Sequence, residues 1–310
     1  MTTAKADAAT GLVRRRALTR IGRGRDDRYT WWILIGPPFV LLFLLTVVPL
    51  VLSLYTSLLD WNLGDPAGAA FVGLKNFVDL ALDPAFWHSL GLTAYQVIVT
   101  VVIQLAIGAV IALLLNEDFR GAKVLRSLYI IPMMTTPVVV GLLWRMLYNT
   151  DSGMVNYLLS LVGIPPVDWL GNAATAMPAV IGADVWLSTP FVVVILLAGL
   201  GSIPTDVYEA AKVDGANGWR TFWHVTLPLL KPMIYLTVLF RVMDAIRRFD
   251  TIYIMTGGGP GNATETLDLH AYFYAFNYLE VGKGAAVATV MLVIIFCGSF
   301  FALRSIQRAG

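Results

Sequence analysis

The chain has 310 residues, of which 57% are hydrophobic and only 14% charged, with a mean hydropathy of +0.72. That balance falls outside ordinary soluble globular domains and reads as an integral membrane protein. A formal charge of +2 argues against a nucleic-acid partner, and a single cysteine, Cys297, rules out an intrachain disulfide and argues against a thiolate metal site.

Crossing an apolar bilayer core takes about 20 helical residues, and six stretches reach or approach that length: 31–58, 87–115, 124–149, 177–199, 229–249 and 284–303. The run RRRALTRIGRGRDDR ahead of the first span is long for a secretory signal, and no small-residue cleavage site follows a short apolar core. It reads as an uncleaved signal anchor. Residues 1–28 are expected to form a basic cytoplasmic tail with some attraction to anionic lipid, and 29–310 a transmembrane domain. Lysine and arginine fix the orientation. The segments 1–30, 116–126 and 200–231 and the tail after Ala302 hold sixteen of the twenty-two, which puts both termini and the 200–231 loop on the cytoplasmic side.

Polar groups inside spans are costly and face a bundle interior or an aqueous cavity, so they mark candidate solute contacts. In the second span Gln96, Thr100 and Gln104 recur every four residues toward Gly108 and share one helix face, which should meet protein. Interhelical hydrogen bonding is the plainer role for that stripe. Pro132, Pro137 and Pro190 lie inside spans, where each should kink its helix. Trp144 lies near the outer end of the third span, beside an Arg145 and Asn149 pair at i, i+4. Asp184 and Ser188 share a face of the fourth span just before Pro190, with Trp186 on another face. In the fifth span Arg241, Asp244 and Arg248 stand at i, i+3 and i+7, so one acid can pair with either arginine. Asp184, Asp244 and Arg248 could hold hydroxyls of a polar solute, and Trp144 or Tyr253 could cover an apolar face of it. A structural ion pair would leave the same trace in sequence.

Between spans four and five, SIPTDVYEAAKVDGANGWRTFWHVTLPLLKP (202–232) forms a compact amphipathic helix, turn and helix. Ser202 or Thr205 is expected to cap the first helix, Val207, Ala210 and Ala211 to form a narrow small-residue face, and Gly215 to carry the turn. Asn217 should cap the second helix, in which Trp219, Phe222 and Trp223 repeat the spacing with large side chains. Apolar anchors between polar flanks suit docking into a groove on a partner; the plainer alternative is a hairpin lying on lipid headgroups.

Glu209, Ala210, Ala211, Gly215, Val225, Leu227 and Pro228 fall at the spacing EAA, three residues, G, nine residues, an aliphatic residue, one residue, LP. This resembles the cytoplasmic coupling loop of bacterial ABC-importer permeases, with Val225 where isoleucine is more usual. From about Trp31 onward, with FVGLKNFVDL and TGGGPGNATETL, the chain is similar to permeases of the carbohydrate-uptake type. The resemblance implies an all-α protein of six transmembrane helices in the bacterial inner membrane. It also implies two ATPase subunits holding ATP and Mg, a second and non-identical permease, an extracytoplasmic binding protein, and a sugar or polyol as solute. Glu209, Ala210, Ala211 and Gly215 would then belong to the coupling loop.

No G-x-x-x-x-G-K-[ST] loop is present, so ATP hydrolysis is expected in a separate subunit. Gly257-Gly258-Gly259-Pro260-Gly261 lacks the lysine and hydroxyl of a phosphate cradle and reads as a turn. His88, His224 and His270 are dispersed, without metal-ligand spacing. An ATP-independent carrier or channel for a small polar solute is the alternative, although it leaves the pattern of the hairpin unexplained.

Overall fold

The computed structural model describes residues 27–65, 68–117 and 119–309, so all but the last two residues of the expected 1–28 tail lie outside the described residues. Among the described residues five helices are long and apolar enough to cross a membrane, and a bent helix pair makes a sixth if it counts as one span. The chain divides into two compact units, Met1–Tyr55 and Thr56–Gly310. The first is dominated by α1 (Asp27–Thr56), which keeps Pro37, Pro38 and Pro49 inside the helix. Its apolar run Leu34–Thr56 has no water to satisfy backbone groups in a bilayer, and a helix satisfies them internally.

The second unit opens with two short strands, β1 (Leu59–Asp60) and β2 (Ala70–Phe71), paired antiparallel with Leu59 opposite Phe71. They are followed by α2 (Lys75–Leu82) and α3 (Pro84–Asn116). The Asp83 carboxylate accepts from the Ala85 N–H and Pro84 occupies the first turn, so one residue ends α2 and caps the second span. The buried Asn76 amide of α2 donates to the Ser57 and Leu59 carbonyls and ties α2 to β1 and the residues before it.

The third span departs from the single kinked helix expected over 124–149. The chain forms α4 (Ala122–Ile130), a 3-10 turn (Ile131–Met134) and α5 (Pro137–Leu147), with a bend of 96° between the halves. The cause is local: Thr135 and Thr136 are both extended, as the residue before Pro137 must be, and neither proline can donate a helical hydrogen bond. Pro178 and Pro190, by contrast, sit inside α7 (Ala173–Gly201) without ending it. Between these comes the short α6 (Met154–Ser160).

The hairpin consists of α8 (Thr205–Val213) and α9 (Gly218–Thr221), and a π-helical turn at Phe222–Thr226 carries α9 into α10 (Leu227–Ala245). Pro228 cannot donate to the carbonyl four residues back, which is where the helical register loosens. The fifth span therefore starts inside the hairpin, and it stops at Ala245 rather than near residue 249. Next come α11 (Phe249–Met255), the glycine-rich turn with a cis Gly259–Pro260 peptide, α12 (Leu267–Tyr272) with a π turn (Phe273–Asn277), and α13 (Val281–Ala309).

Glycines set the close approaches. A Cβ on Gly108 of α3 would lie 2.6 Å from Val192 Cγ1 of α7, so only hydrogen allows these helices their contact. One core joins Val97 and Val101 of α3 to Leu267 of α12 and Ala286, Val287 and Met291 of α13. Another packs Tyr148, Ala179, Val180, Ile252 and Leu269 around α7 and α11.

Candidate functional site

The hairpin is built much as its residues suggest. The α8 helix turns at Gly215, whose φ of +77° disfavours any side chain, and the Gly215 and Ala216 amides donate back to Lys212 and Ala211. Asn217 accepts the Arg220 N–H and caps α9 as expected. The other cap differs. Pro204 occupies the N-cap without a side-chain bond, and the Ser202 hydroxyl donates to the Gly199 carbonyl at the end of α7. On α8, Ala211 is buried, Val207 half-buried, and Glu209 and Ala210 face out. Trp219 is 71% exposed and packs edge-on against the exposed Trp223, with ring centroids 5.7 Å apart; Phe222 is half-buried beneath them. Exposed, amphipathic aromatic rings of this kind are the side chains that anchor protein interfaces when a partner covers them.

The second feature is a charge cluster at the break between α10 and α11. Asp184 of α7 is fully buried, with its carboxylate 3.0 Å from Arg248 and 3.6 Å from Arg241. The two arginine side chains are themselves only 7% and 4% exposed. The Arg248 Nε and Arg241 Nη2 contacts to Asp184 are ion contacts without aligned hydrogen bonds. Directed bonds come from elsewhere. Asp244 accepts from Arg241 at 2.5 Å and from Arg248, Gln104 Oε1 accepts from Arg241 Nε at 2.8 Å, and Gln104 Nε2 donates to the Asp184 carbonyl. The Ser188 hydroxyl donates to Asp184 and accepts from Arg248. Three helices are thereby joined by one polar network, in which each acid serves both arginines.

Asp244 is half-exposed, and what it faces is a cavity of about 470 Å3. The walls include Ser188, Phe191, Phe240, Arg241, Arg247 and Arg248, with Met133, Thr135 and Pro137 contributed by the broken third span. Phe191 and Phe240 meet edge to face at 6.3 Å. The volume is in the range of small-molecule sites, and the lining combines aromatic faces with a few convergent polar groups.

Of the candidate pathway residues, Gln104, Asp184, Asp244 and Arg248 come together, and Asp244 and Arg248 line the cavity. Gln96 is buried on the same face of α3 with its amide nitrogen unpartnered, but it lies two turns from Gln104. Trp144 packs against Tyr148 and Trp186, and Tyr253 stacks on Phe249 at 5.2 Å; neither reaches the cavity. Arg145 and Asn149 do not pair: Arg145 donates to the Ile254 carbonyl, and Asn149 accepts from Asp151 and Ser152. Sequence reasoning missed Arg247 and the Met133–Pro137 wall. The run Pro-Met-Met-Thr-Thr-Pro carried a usable signal, because two prolines around polar residues in an apolar stretch mark unwound backbone lining a cavity. No group of His, Cys, Asp and Glu side chains suited to a metal ion occurs among the described residues.

A search of curated proteins finds the "Probable ABC transporter permease protein y4oQ" of Sinorhizobium fredii, 40% identical over 280 residues and covering 90% of each chain. The "Trehalose/maltose transport system permease protein MalF" of Thermococcus litoralis is 41% identical over 225 residues, 73% of this chain and 76% of that one. Among solved structures, a bacterial ABC transporter involved in import of the acidic polysaccharide alginate superposes with a TM-score of 0.78 at 21% identity, over 91% of this chain and 97% of that one. At that identity the likeness shows the fold. Residues 104–309, from Gln104 of the charge cluster through the hairpin to the last helix, match the family described as "Binding-protein-dependent transport system inner membrane component", and the chain belongs to that family.

Proposed function

We propose that this chain forms half of the translocation pathway of an ATP-driven importer for a sugar or polyol. A second, non-identical permease supplies the other half. Two separate ATPase subunits hold ATP and Mg and dock on the hairpin through Glu209, Ala210, Ala211, Gly215, Trp219, Phe222 and Trp223, and an extracytoplasmic binding protein delivers the solute. Both termini and the hairpin face the cytoplasm in this reading, as the arginine and lysine distribution favours, with residues 1–28 a basic tail at the inner surface. The names of the trehalose/maltose relative and of others in the same search support the solute class.

One observation carries the reading. The aromatic part of the docking surface, Trp219, Phe222 and Trp223, and one side of the cavity wall, Phe240, Arg241, Met243 and Asp244, belong to a single helical run, Gly218–Ala245. A displacement of the hairpin by an ATPase that changes shape is therefore delivered along one continuous helical run to the network around Asp184. Differential docking in two ATPase states biases inward against outward access, a rigid-body switch of packed helices.

The test is reconstitution of the copurified complex in vesicles with its binding protein. Uptake of a disaccharide should require ATP inside the cytoplasmic compartment. Gly215→Val should leave the complex assembled in the membrane yet lower the solute moved per ATP. A Cβ there meets open space, so the damage comes from the left-handed backbone, about 1–2 kcal/mol of local strain. Uptake by this chain alone without ATP, or unchanged coupling in Gly215→Val at equal expression, refutes the reading.

A further inference from the structure

From the charges facing the cavity we infer that the solute carries a negative charge: a glycoside bearing one oxyanion group, such as a uronic-acid carboxylate, held by Arg247. The inference rests on the proposal above that this cavity is the solute path.

Asp184 and Asp244 together answer Arg241 and Arg248, each carboxylate touching both guanidiniums, and that set is neutral. Arg247 is the third arginine on the wall and has no such answer. It is exposed, its Nε donates to the Met243 carbonyl in the last turn of α10 at 3.3 Å, and no carboxylate lies within ion-pair distance of it among the described residues. That backbone bond ties down Nε and leaves the two terminal nitrogens, a fork suited to two oxygens of one planar anion. Asp250, one turn further along, forms no ion pair among the described residues and is not part of the wall.

An arginine next to a membrane-spanning helix, at a cavity with apolar walls, is costly without a counter-charge. Two guanidiniums of this cluster receive theirs from the protein, and the third is left for whatever enters. The rest of the lining fits a sugar body: the Phe191 and Phe240 faces for its apolar side, and the half-exposed Asp244 for its hydroxyls. A solute with one anionic group and several hydroxyls gives Arg247 a counter-charge, whereas a neutral sugar leaves it without one.

The experiment measures equilibrium binding to the permease–ATPase complex in lipid nanodiscs, without the binding protein, so that its selectivity does not intervene. The probes are an aldobiouronic acid and its neutral parent disaccharide, which differ only in a carboxylate for a hydroxymethyl group. The expected result is at least tenfold tighter binding of the acid, weakened by added salt. Arg247→Gln should reduce that ratio toward one, and Arg247→Lys, which keeps the charge and guards against a merely misfolded variant, should retain much of it. A ratio near one in the parent complex, or a ratio untouched by Arg247→Gln, overturns the inference, and it is also the outcome if a carboxylate of the second permease sits on Arg247. ATP-driven uptake of the neutral disaccharide alone would overturn the anion and keep the importer, whereas ATP-independent uptake of either probe would overturn the reading beneath it.

Discussion

Replacing Asp184 by asparagine tests the charge cluster directly, because it changes one atom's chemistry and almost no volume. The carboxylate is fully buried and lies 3.0 Å from Arg248 and 3.6 Å from Arg241. At an effective dielectric of about 20, each contact is worth about 5 kcal/mol before desolvation is counted. Removing one member of a buried ion pair costs about 3–5 kcal/mol, mostly through the charge left behind. The lower figure applies here, since Asp244 still touches both arginines. Asp184→Asn should therefore destabilise by about 3 kcal/mol, which lowers the unfolding midpoint in detergent micelles by about 6–12 °C. Asp244 makes contacts at least as short, yet half of its side chain is exposed to the cavity, so Asp244→Asn should cost about 1 kcal/mol and about 2–4 °C. The double variant Asp184→Asn with Arg248→Met removes one charge of each sign and leaves Arg241 with Asp244, so it should regain most of the loss. Thermal unfolding followed by circular dichroism reads all three. Equal losses for Asp184→Asn and Asp244→Asn, or no recovery in the double variant, would show that short contacts rather than burial decide the energetics.

Three further outcomes are expected. Gly108→Ala drives a methyl into Val192 at 2.6 Å and should cost about 1–3 kcal/mol in the same unfolding assay, whereas Gly91→Ala, on the same helix with nothing within 4 Å, should be neutral or mildly stabilising; equal effects would refute the close approach of α3 to α7. Trp219→Ala should change folding stability by less than about 0.5 kcal/mol, because the ring is exposed, yet weaken ATPase docking by about 2 kcal/mol, a factor of about 30 in a titration of ATPase onto nanodisc-held permease. Between the fifth and sixth spans, burial raises the Asp268 carboxyl above its ordinary value of 3.8, against the opposing bonds from Thr266 and Leu269. The fold then favours the protonated acid, so its contribution is fully present below pH 3.8 and lost as pH rises through the raised value. Asp268→Asn, fixed neutral, should gain stability over the parent as pH rises from about 4 to 7; a difference that does not change with pH refutes this.

The amino-acid sequence alone determined the membrane class, the positions of the first, second, fourth and sixth spans to within a few residues, and the hairpin. Each of these depends on local chemistry. An apolar run must become a helix in a solvent without hydrogen bonds, Gly215 is the residue that turns at positive φ, and Asn217 has a short acceptor that reaches the N–H three residues on. The pairing of Asp244 with both arginines was legible because it joins residues three and four apart in the chain, Arg241 on α10 and Arg248 just past its end. The membership of Asp184 and Gln104 in that network was decided only by tertiary packing, because they come from α7 and α3 and meet Arg241 across sequence separations of 57 and 137 residues. The break of the third span at Thr135–Thr136 and the end of the fifth at Ala245 likewise opened the cavity, and with it the exposure of Arg247. A proline announces that a helical bond is missing, but whether the helix continues, as through α7, or breaks, as before α5, depends on which neighbouring groups satisfy the freed carbonyls, and those neighbours exist only in the assembled bundle.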